Sequence, residues 1–361
     1  MWFRAGTHAA EAAGGAERRC LAWAEAGGHE TDDRLMTRRG FIRRAGLTGL
    51  AVAGSAAGAW WLHDPRDGAR YFREARSTEG ASLKSFRVER PASAATLVIA
   101  RGRDPEALAR AALAELGGME AFVRPGDVVV VKPNVAFDRP PALAATTRPE
   151  VLKAVVQLCR QAGAGRVLVV DNPINQPEGC FYKSGLQAAA AEAGAEVVLP
   201  RPGAFAPVAI GGEVLGTWPM LLEPLARAHK LIGLAPCKDH NLCGGSMTMK
   251  NWYGLLGGRR NQFHQRIHQV VADFAQMIQP TLVVLDGTRV LMRNGPTGGS
   301  LGDVSERGTL VAGTDMVAVD AFGYTLLDRD PAGLEYLQRA QARGLGNAKW
   351  KEQNWREVQA G

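Results

Sequence analysis

The sequence predicts an α/β protein: a layered, largely parallel sheet with helices on both faces, plus a small hairpin excursion. Two observations carry this. Short β-branched runs alternate with longer stretches of helical periodicity, the signature of βαβ units. Several of those runs are apolar without a break, as in Val128-Val129-Val130-Val131, which suits strands covered on both faces.

Taken in order, the strand candidates are Thr96–Ala100, Asp127–Val131, Arg166–Val170, Glu196–Leu199, Lys230–Ala235, Thr281–Leu285 and Thr309–Ala312. A helix begins at Thr147-Arg148-Pro149-Glu150, a capping-box spacing with an early proline. It carries Val151, Leu152, Val155, Val156 and Cys159 on one face and stops near Gly163. A second helix runs from about Gln262 to Ile278, with Ile267, Val270, Val271, Phe274 and Ile278 as its buried stripe. A third spans Asp315 to Leu327. Between Pro202 and Met220, Gly211-Gly212 separates two short extended runs and reads as the hairpin.

The N-terminal part reads as an address rather than a fold. Thr37-Arg38-Arg39-Gly40-Phe41-Ile42-Arg43 has the Ser/Thr-Arg-Arg-x-Phe-aliphatic-basic form of a twin-arginine signal, and an uncharged Ala/Gly-rich stretch follows from Ala45 to Trp61. That stretch falls short of the roughly 20 strongly apolar residues of a stable span. Ala57-Gly58-Ala59 offers a cleavage site, and Trp60-Trp61 an interfacial anchor if the signal stays uncleaved. The expected partners are the twin-arginine translocase during export and, with an uncleaved signal, the membrane. The expected location is periplasmic or otherwise extracytoplasmic. Met36 is a candidate start, with residues 1–35 a doubtful extension. Residues 62–90 read as a linker, 91–345 as a single domain and 346–361 as a tail.

Without the first 59 residues about 300 are left, enough for one substantial core. The net charge of +7 is partly due to the signal arginines; the rest is scattered with no basic stripe, so nucleic acid is not an expected partner. Of five cysteines, Cys159 falls on an apolar helical face and reads as core. Cys159, Cys180, Cys237 and Cys243 lack the spacing of a disulfide framework.

In an open parallel sheet, ligands sit beyond the carboxyl ends of the strands. Four predicted ends deliver polar groups there: Lys132-Pro133-Asn134, Asp171-Asn172-Pro173, Pro236-Cys237-Lys238-Asp239-His240 and Asp286-Gly287-Thr288-Arg289. The densest stretch is His240 to Gly254. Gly244-Gly245-Ser246 admits close approach of backbone N–H groups to an anion, without the spacing of a phosphate-binding Walker loop or a dinucleotide fingerprint. Lys250, among Met, Trp and Tyr, is either a desolvated amine available for covalent chemistry or a snorkelling surface lysine. His264 and His268 stand at i,i+4, a spacing that suits metal ligation, and His240 with Cys237 and Cys243 adds further donors. Arg289, Arg293 and the Asn294–Gly299 loop suit either a carboxylate clamp or a plain turn.

On Lys132-Pro133-Asn134, Ala145–Glu150, His240–Gly258, Asp286–Gly299 and Asp315–Tyr324, the chain resembles the bacterial domain-of-unknown-function family 362, in its twin-arginine-exported branch. Many members carry clustered C-x2-C-x2-C motifs for iron–sulfur clusters; this sequence has none. The segment His240-x3-Gly244-x-Ser246-x3-Lys250 is also similar to the nickel-pincer lactate racemase family, where the lysine holds the pincer covalently and a histidine some sixteen residues on binds nickel. His264 and His268 straddle that distance. In the Thr146-Thr147-Arg148-Pro149 segment, Thr147 replaces that family's acid/base histidine, which counts against racemisation.

The expectation is therefore an exported protein that binds a small anionic ligand and a transition metal (nickel, iron or zinc) or a metal-containing cofactor, acting as an oxidoreductase or isomerase. A non-catalytic periplasmic ligand- or partner-binding protein, or an iron–sulfur-associated protein, is the alternative. The expected catalytic groups are His240, Lys250 and Asp286. Lys132, Asn134, Gly244, Gly245, Ser246, Lys250 and Arg289 are expected to bind the cofactor, and His240, His264, His268, Cys237 and Cys243 a metal.

Overall fold

A computed structural model describes residues 37–62 and 80–360. Residues 37–62 belong to a unit separate from the rest of the chain. There α1 (Arg38–Leu62) leaves Phe41, Ile42, Leu47, Leu50 and Val52 exposed, and the Thr37 hydroxyl accepts from the Gly40 N–H. Among the described residues no helix is long and apolar enough to cross a membrane. The doubtful 1–35 extension and residues 63–79 of the predicted linker lie outside the described residues.

The second unit is built on β1 (Leu97–Arg101), β2 (Val128–Lys132), β3 (Arg166–Val170), β4 (Glu196–Val198), β5 (Phe205–Ala209), β6 (Thr217–Leu221), β7 (Lys230–His240), β8 (Gly244–Ser246), β9 (Leu282–Leu291), β10 (Val304–Gly313) and β11 (Trp355–Gln359). Nine of these form one sheet, in the order β11-β1-β10-β9-β7-β2-β3-β4, with β8 folded back on β7. The block β9-β7-β2-β3-β4 is parallel throughout. β10 runs antiparallel between β9 and β1. The sheet is therefore mixed but mostly parallel, as its apolar strands predict.

Alternation along those strands feeds a core on each face. Val129, Val131, Val167 and Val169 point into one core. It is completed by α2 (Pro105–Glu115), α3 (Pro149–Gln161), α4 (Pro177–Lys183) and α5 (Leu186–Glu192). Val130, Leu168 and Val170 point into the other. The remaining helices are α6 (Glu223–Ala226), α7 (Thr248–Asn251), α8 (Ile267–Met277), α9 (Met316–Thr325) and α10 (Glu335–Ala342), and α7 to α10 pack with the β5–β6 hairpin into this second core. The buried Asp273 of α8 accepts from the N–H groups of Glu213, Val214 and Leu215 at 2.8–3.0 Å. It thus fixes the loop at Gly211-Gly212, where a Cβ on Gly212 would lie 2.2 Å from its carboxyl carbon.

Several boundaries differ from the sequence reading. β7 and β9 run on to His240 and Leu291, so Asp286 and Cys237–His240 lie inside strands rather than after them. α8 starts only at Ile267, after a 3-10 segment over Arg260–Arg266. The Thr147 hydroxyl makes no capping box: it accepts from Asn134 N–H at 2.7 Å and donates to the Leu234 carbonyl at 2.9 Å. That bridges the loop to β7 and leaves Arg148 as an N-cap whose side chain makes no capping bond and donates to the Thr288 hydroxyl at 3.0 Å instead. The predicted tail contains β11, paired in parallel with β1. Residues 80–90 of the predicted linker also dock onto this unit, through buried Phe86 and a bridge from Ala81 to Val208.

Candidate functional site

A small cleft of about 80 Å³ opens at the carboxyl ends of β2, β3 and β7. Its floor is a chain of hydrogen bonds. Lys132, the last residue of β2, sets its ammonium 2.6 Å from Asp171 Oδ1 just past β3. The other Asp171 oxygen accepts from Val135 N–H at 2.6 Å. Lys132 also donates to Asn251 Oδ1 at 2.9 Å, which accepts from Asn134 Nδ2 at 3.1 Å. Asn251 Nδ2 donates to the carbonyls of Lys132 and Leu234, at 3.2 and 3.0 Å. Lys238 on β7 closes the chain, donating to Asn134 Oδ1 at 3.2 Å and to the Ala145 carbonyl. A side chain at Gly254 would collide with this floor, since its Cβ would stand 2.2 Å from Asp171 Oδ1 and 2.7 Å from Lys132 Nζ.

The short helix α7 delivers Lys250. Its start is capped from outside: buried Asp320 on α9 accepts from the backbone N–H groups of Thr248 and Met249 at 2.8 and 2.9 Å and from the Thr248 hydroxyl. The Lys250 amine lies 4.3 Å from the centre of the Tyr253 ring and has no hydrogen-bond or carboxylate partner among the described residues. Arg260 forms one wall, donating to the carbonyls of Asn172 at 2.6 Å, Pro173 at 2.9 Å and Leu256 at 3.1 Å.

Two histidines complete the cleft, with rings nearly parallel and 6.4 Å apart. His240 Nδ1 accepts from Leu242 N–H at 3.2 Å, so the neutral ring carries its proton on Nε2. His264 is the reverse. Its Nδ1 faces the Asn261 carbonyl at 2.9 Å and the Tyr253 oxygen at 3.3 Å, and the Tyr253 hydroxyl already donates to the Arg260 carbonyl. Its proton therefore sits on Nδ1 and its lone pair on Nε2. Burial, then Lys250 and Lys238, push His240 down to about 2. Burial also lowers His264, with Lys250 and Arg260 adding to the effect of burial and the Asn261 carbonyl opposing it. The cleft thus holds one neutral imidazole donor and one neutral acceptor.

Charge in the cleft is unbalanced. Lys132, Lys238, Lys250 and Arg260 face a single carboxylate, Asp171. Burial, then Lys250 and Lys132, drag Lys238 down to about 7. Burial likewise lowers Lys250; Cys243 opposes this, and Arg260 and Lys132 add to it.

Of the predicted site residues, Lys132, Asn134, His240, Ser246, Lys250 and His264 line the cleft. The others do not, each for a structural reason. Asp286 is buried within β9, where its carboxylate accepts from Thr288 N–H and hydroxyl at 2.9 and 2.6 Å. Arg289 stands opposite Glu306 on β10, outside the cleft lining. Gly244 and Gly245 make room for Tyr324, whose hydroxyl and ring would lie 2.9 and 3.1 Å from added Cβ atoms. Arg293 is tied to Asp303 at 2.6 Å.

The predicted metal ligands do not converge. Among the described residues no group of three His, Cys, Asp or Glu is placed to hold a metal ion. His264 lies in the 3-10 segment and His268 in α8, so the i,i+4 face is lost; His268 stacks on Tyr336 instead, with centroids 6.2 Å apart. Cys237 donates to the Gly323 carbonyl and Cys243 to the Gly245 carbonyl. Burial holds the Cys237 thiol far above its ordinary range and pushes Cys243 up to about 11, against the thiolate a metal requires. A ligating histidine donates from its other nitrogen, whereas His240 accepts there. These side chains do not fit a metal held by the protein alone.

Arg260 carries no sequence signal beyond its charge, and Asn251 and Tyr253 stand out only as parts of the His240–Gly254 stretch. Lys238, one residue from Cys237, is legible as a strand-end cation.

The profile of the domain of unknown function DUF362 matches residues 129–325, which contain every residue of the cleft. The chain belongs to the DUF362 family. It is 30% identical over 245 residues to a thylakoid-associated protein of Synechocystis, covering 65% of this chain and 74% of that one. Among solved structures, the lactate racemase apoprotein from Thermoanaerobacterium thermosaccharolyticum aligns at a TM-score of 0.37 and 12% identity, over 68% of this DUF362 protein and 61% of that chain. A Thermotoga maritima protein aligns at 0.35 and 11%, over 67% and 60%. The DUF362 chain thus spans about three fifths of the length of each of these two.

Proposed function

We propose that this DUF362 protein binds a small anionic molecule in the cleft at the ends of β2, β3 and β7, and moves protons on it. One observation carries the reading: three buried lysines and the half-buried Arg260 converge on a cleft with one carboxylate. Unpaired buried charge is costly, and an anion relieves it. The complementary imidazoles His240 and His264 then give the bound molecule one proton donor and one proton acceptor, as general acid–base chemistry needs. Of the reaction classes expected from the sequence, isomerisation by proton transfer makes the fullest use of that pair.

The test is a thermal-shift and calorimetric titration of the purified protein with inorganic phosphate, oxalate, pyruvate and lactate. At least one is expected to bind saturably, with affinity reduced tenfold or more in Lys238→Met, since a charged hydrogen bond contributes about 1.5–3 kcal/mol. Equal, non-saturating responses in wild type and variant would defeat the proposal.

We further propose an extracytoplasmic location reached by the twin-arginine route. The Thr37–Arg43 pattern supports it, as does similarity to a thylakoid-associated protein. A fusion of residues 36–61 to a reporter exported only by that route should reach the periplasm, and Arg38→Lys/Arg39→Lys should hold it back; export unaffected by that change would count against the route.

A further inference from the structure

The lysines of the cleft differ in what they touch. Lys132 is locked in an ion pair with Asp171 at 2.6 Å. Lys238 donates to Asn134 and the Ala145 carbonyl. Lys250 makes neither kind of contact among the described residues, though it is 8% exposed and lines the same cleft. An ammonium so enclosed has lost its water and gained only the face of Tyr253, a contact worth about 0.5–2 kcal/mol. Burial is the larger effect and lowers the pKa of this group. A neutral amine with a free lone pair is a nucleophile rather than a counter-ion.

We infer that Lys250 is a covalent nucleophile that forms an imine with a small aldehyde or ketone bearing an anionic group. This rests on the anion-binding reading above and narrows it. The anionic group belongs beside Lys238 and Arg260, and the carbonyl beside Lys250. The Lys250 nitrogen attacks the carbonyl carbon, forming the C–N bond as the C–O π bond breaks. The oxygen takes a proton from His240 Nε2–H, and the nitrogen gives one to His264 Nε2. In the second step His264 passes its proton to the carbinolamine hydroxyl, which leaves as water as the nitrogen lone pair closes the C=N bond, and the remaining N–H proton returns to His240. The sum is amine plus carbonyl to imine plus water, with both imidazoles restored and nothing oxidised or reduced. Protonated from solvent, the imine acidifies the neighbouring C–H, which is where the proton-moving histidines act.

The anionic group has two chemical sources, a carboxylate next to the carbonyl or a phosphate ester, and the test has an arm for each. The full-length protein is incubated with pyruvate or with dihydroxyacetone phosphate, reduced with borohydride and digested, and the adduct is located by mass spectrometry. The expected result is one reduced adduct per chain on Lys250 with at least one of the two, absent from Lys250→Arg. Wild-type peptide mapping locates the adduct without relying on the variant's folding. An adduct spread over surface lysines, or seated on Lys238, overturns the inference. So does saturable binding of either compound with no adduct at all, and that outcome leaves the anion-binding reading intact. If neither compound binds while phosphate or oxalate does, the inference again falls alone; if nothing binds, both readings fall.

Discussion

Lys132, the last residue of β2, and Asp171, the first residue after the parallel neighbour β3, hold their charges 2.6 Å apart with almost no solvent contact. The register Val131↔Val169 sets Lys132 level with Val170, one residue before Asp171. The pair is cross-braced by Asn251 and by the Val135 and Asn172 N–H groups. Removing one partner of such a pair leaves a buried charge uncompensated. Asp171→Asn is therefore expected to cost about 3–5 kcal/mol in urea unfolding. The double change Lys132→Met/Asp171→Leu should recover much of that stability while losing anion binding.

Gly254 sets the clearance above that pair. Gly254→Ala forces a methyl into Asp171 and Lys132, and overpacking of this kind costs about 1–3 kcal/mol. Gly203→Ala, where an added Cβ meets nothing within 4 Å, serves as the control and should stay within about 0.5 kcal/mol of wild type. Equal effects at the two positions, by chemical denaturation, would contradict the close packing seen at Gly254.

Lys238 gives the account a pH dependence. Its pKa in the folded protein is pulled from 10.5 to about 7, by burial first and then by Lys250 and Lys132, with Asp171 and Cys243 opposing. The unfolded chain therefore binds more protons than the folded one between pH 7 and 10.5, and this group's contribution makes stability rise with pH across that window. An anion prefers the protonated amine, so binding near pH 8 should take up protons and affinity should fall as pH rises above 7. Calorimetry in buffers of different ionisation enthalpy measures the uptake. Lys238→Met should abolish most of it.

Asp320 positions Lys250 without touching the cleft, by capping α7 from α9. Asp320→Ala leaves the N–H groups of Thr248 and Met249 unpaired in the interior, at about 1–3 kcal/mol each. It should also weaken anion binding by displacing Lys250. Unchanged affinity in a folded Asp320→Ala protein would show that α7 does not depend on this cap.

Most of the fold was legible because its signals are local. Val128–Val131 and Arg166–Val170 read as doubly covered strands from composition alone, and Pro202–Met220 as a hairpin from its glycines. What was not legible depends on partners distant in sequence. Whether β7 stops at Ala235 or runs to His240 is decided by β8 folding back on it, which no window of residues encodes. His264 and His268 share a helical face only if the helix begins before both, and a 3-10 segment intervenes. Trp355–Gln359 is exposed and polar along most of its length and becomes a strand because β1 offers a free edge. In the site, Lys132, Asn134, His240, Ser246, Lys250 and His264 could be nominated from their place after strands or near the glycine-rich loop. Arg260 could not, because only folding brings it to the Asn172 and Pro173 carbonyls.

Anomalous diffraction from a crystal of the full chain soaked in selenate locates a bound anion directly. The account predicts a selenium peak inside the cleft, within hydrogen-bonding reach of Lys238 or Lys250 and lost in Lys238→Met. Ordered selenate elsewhere on the molecule, with none between these lysines, would contradict it.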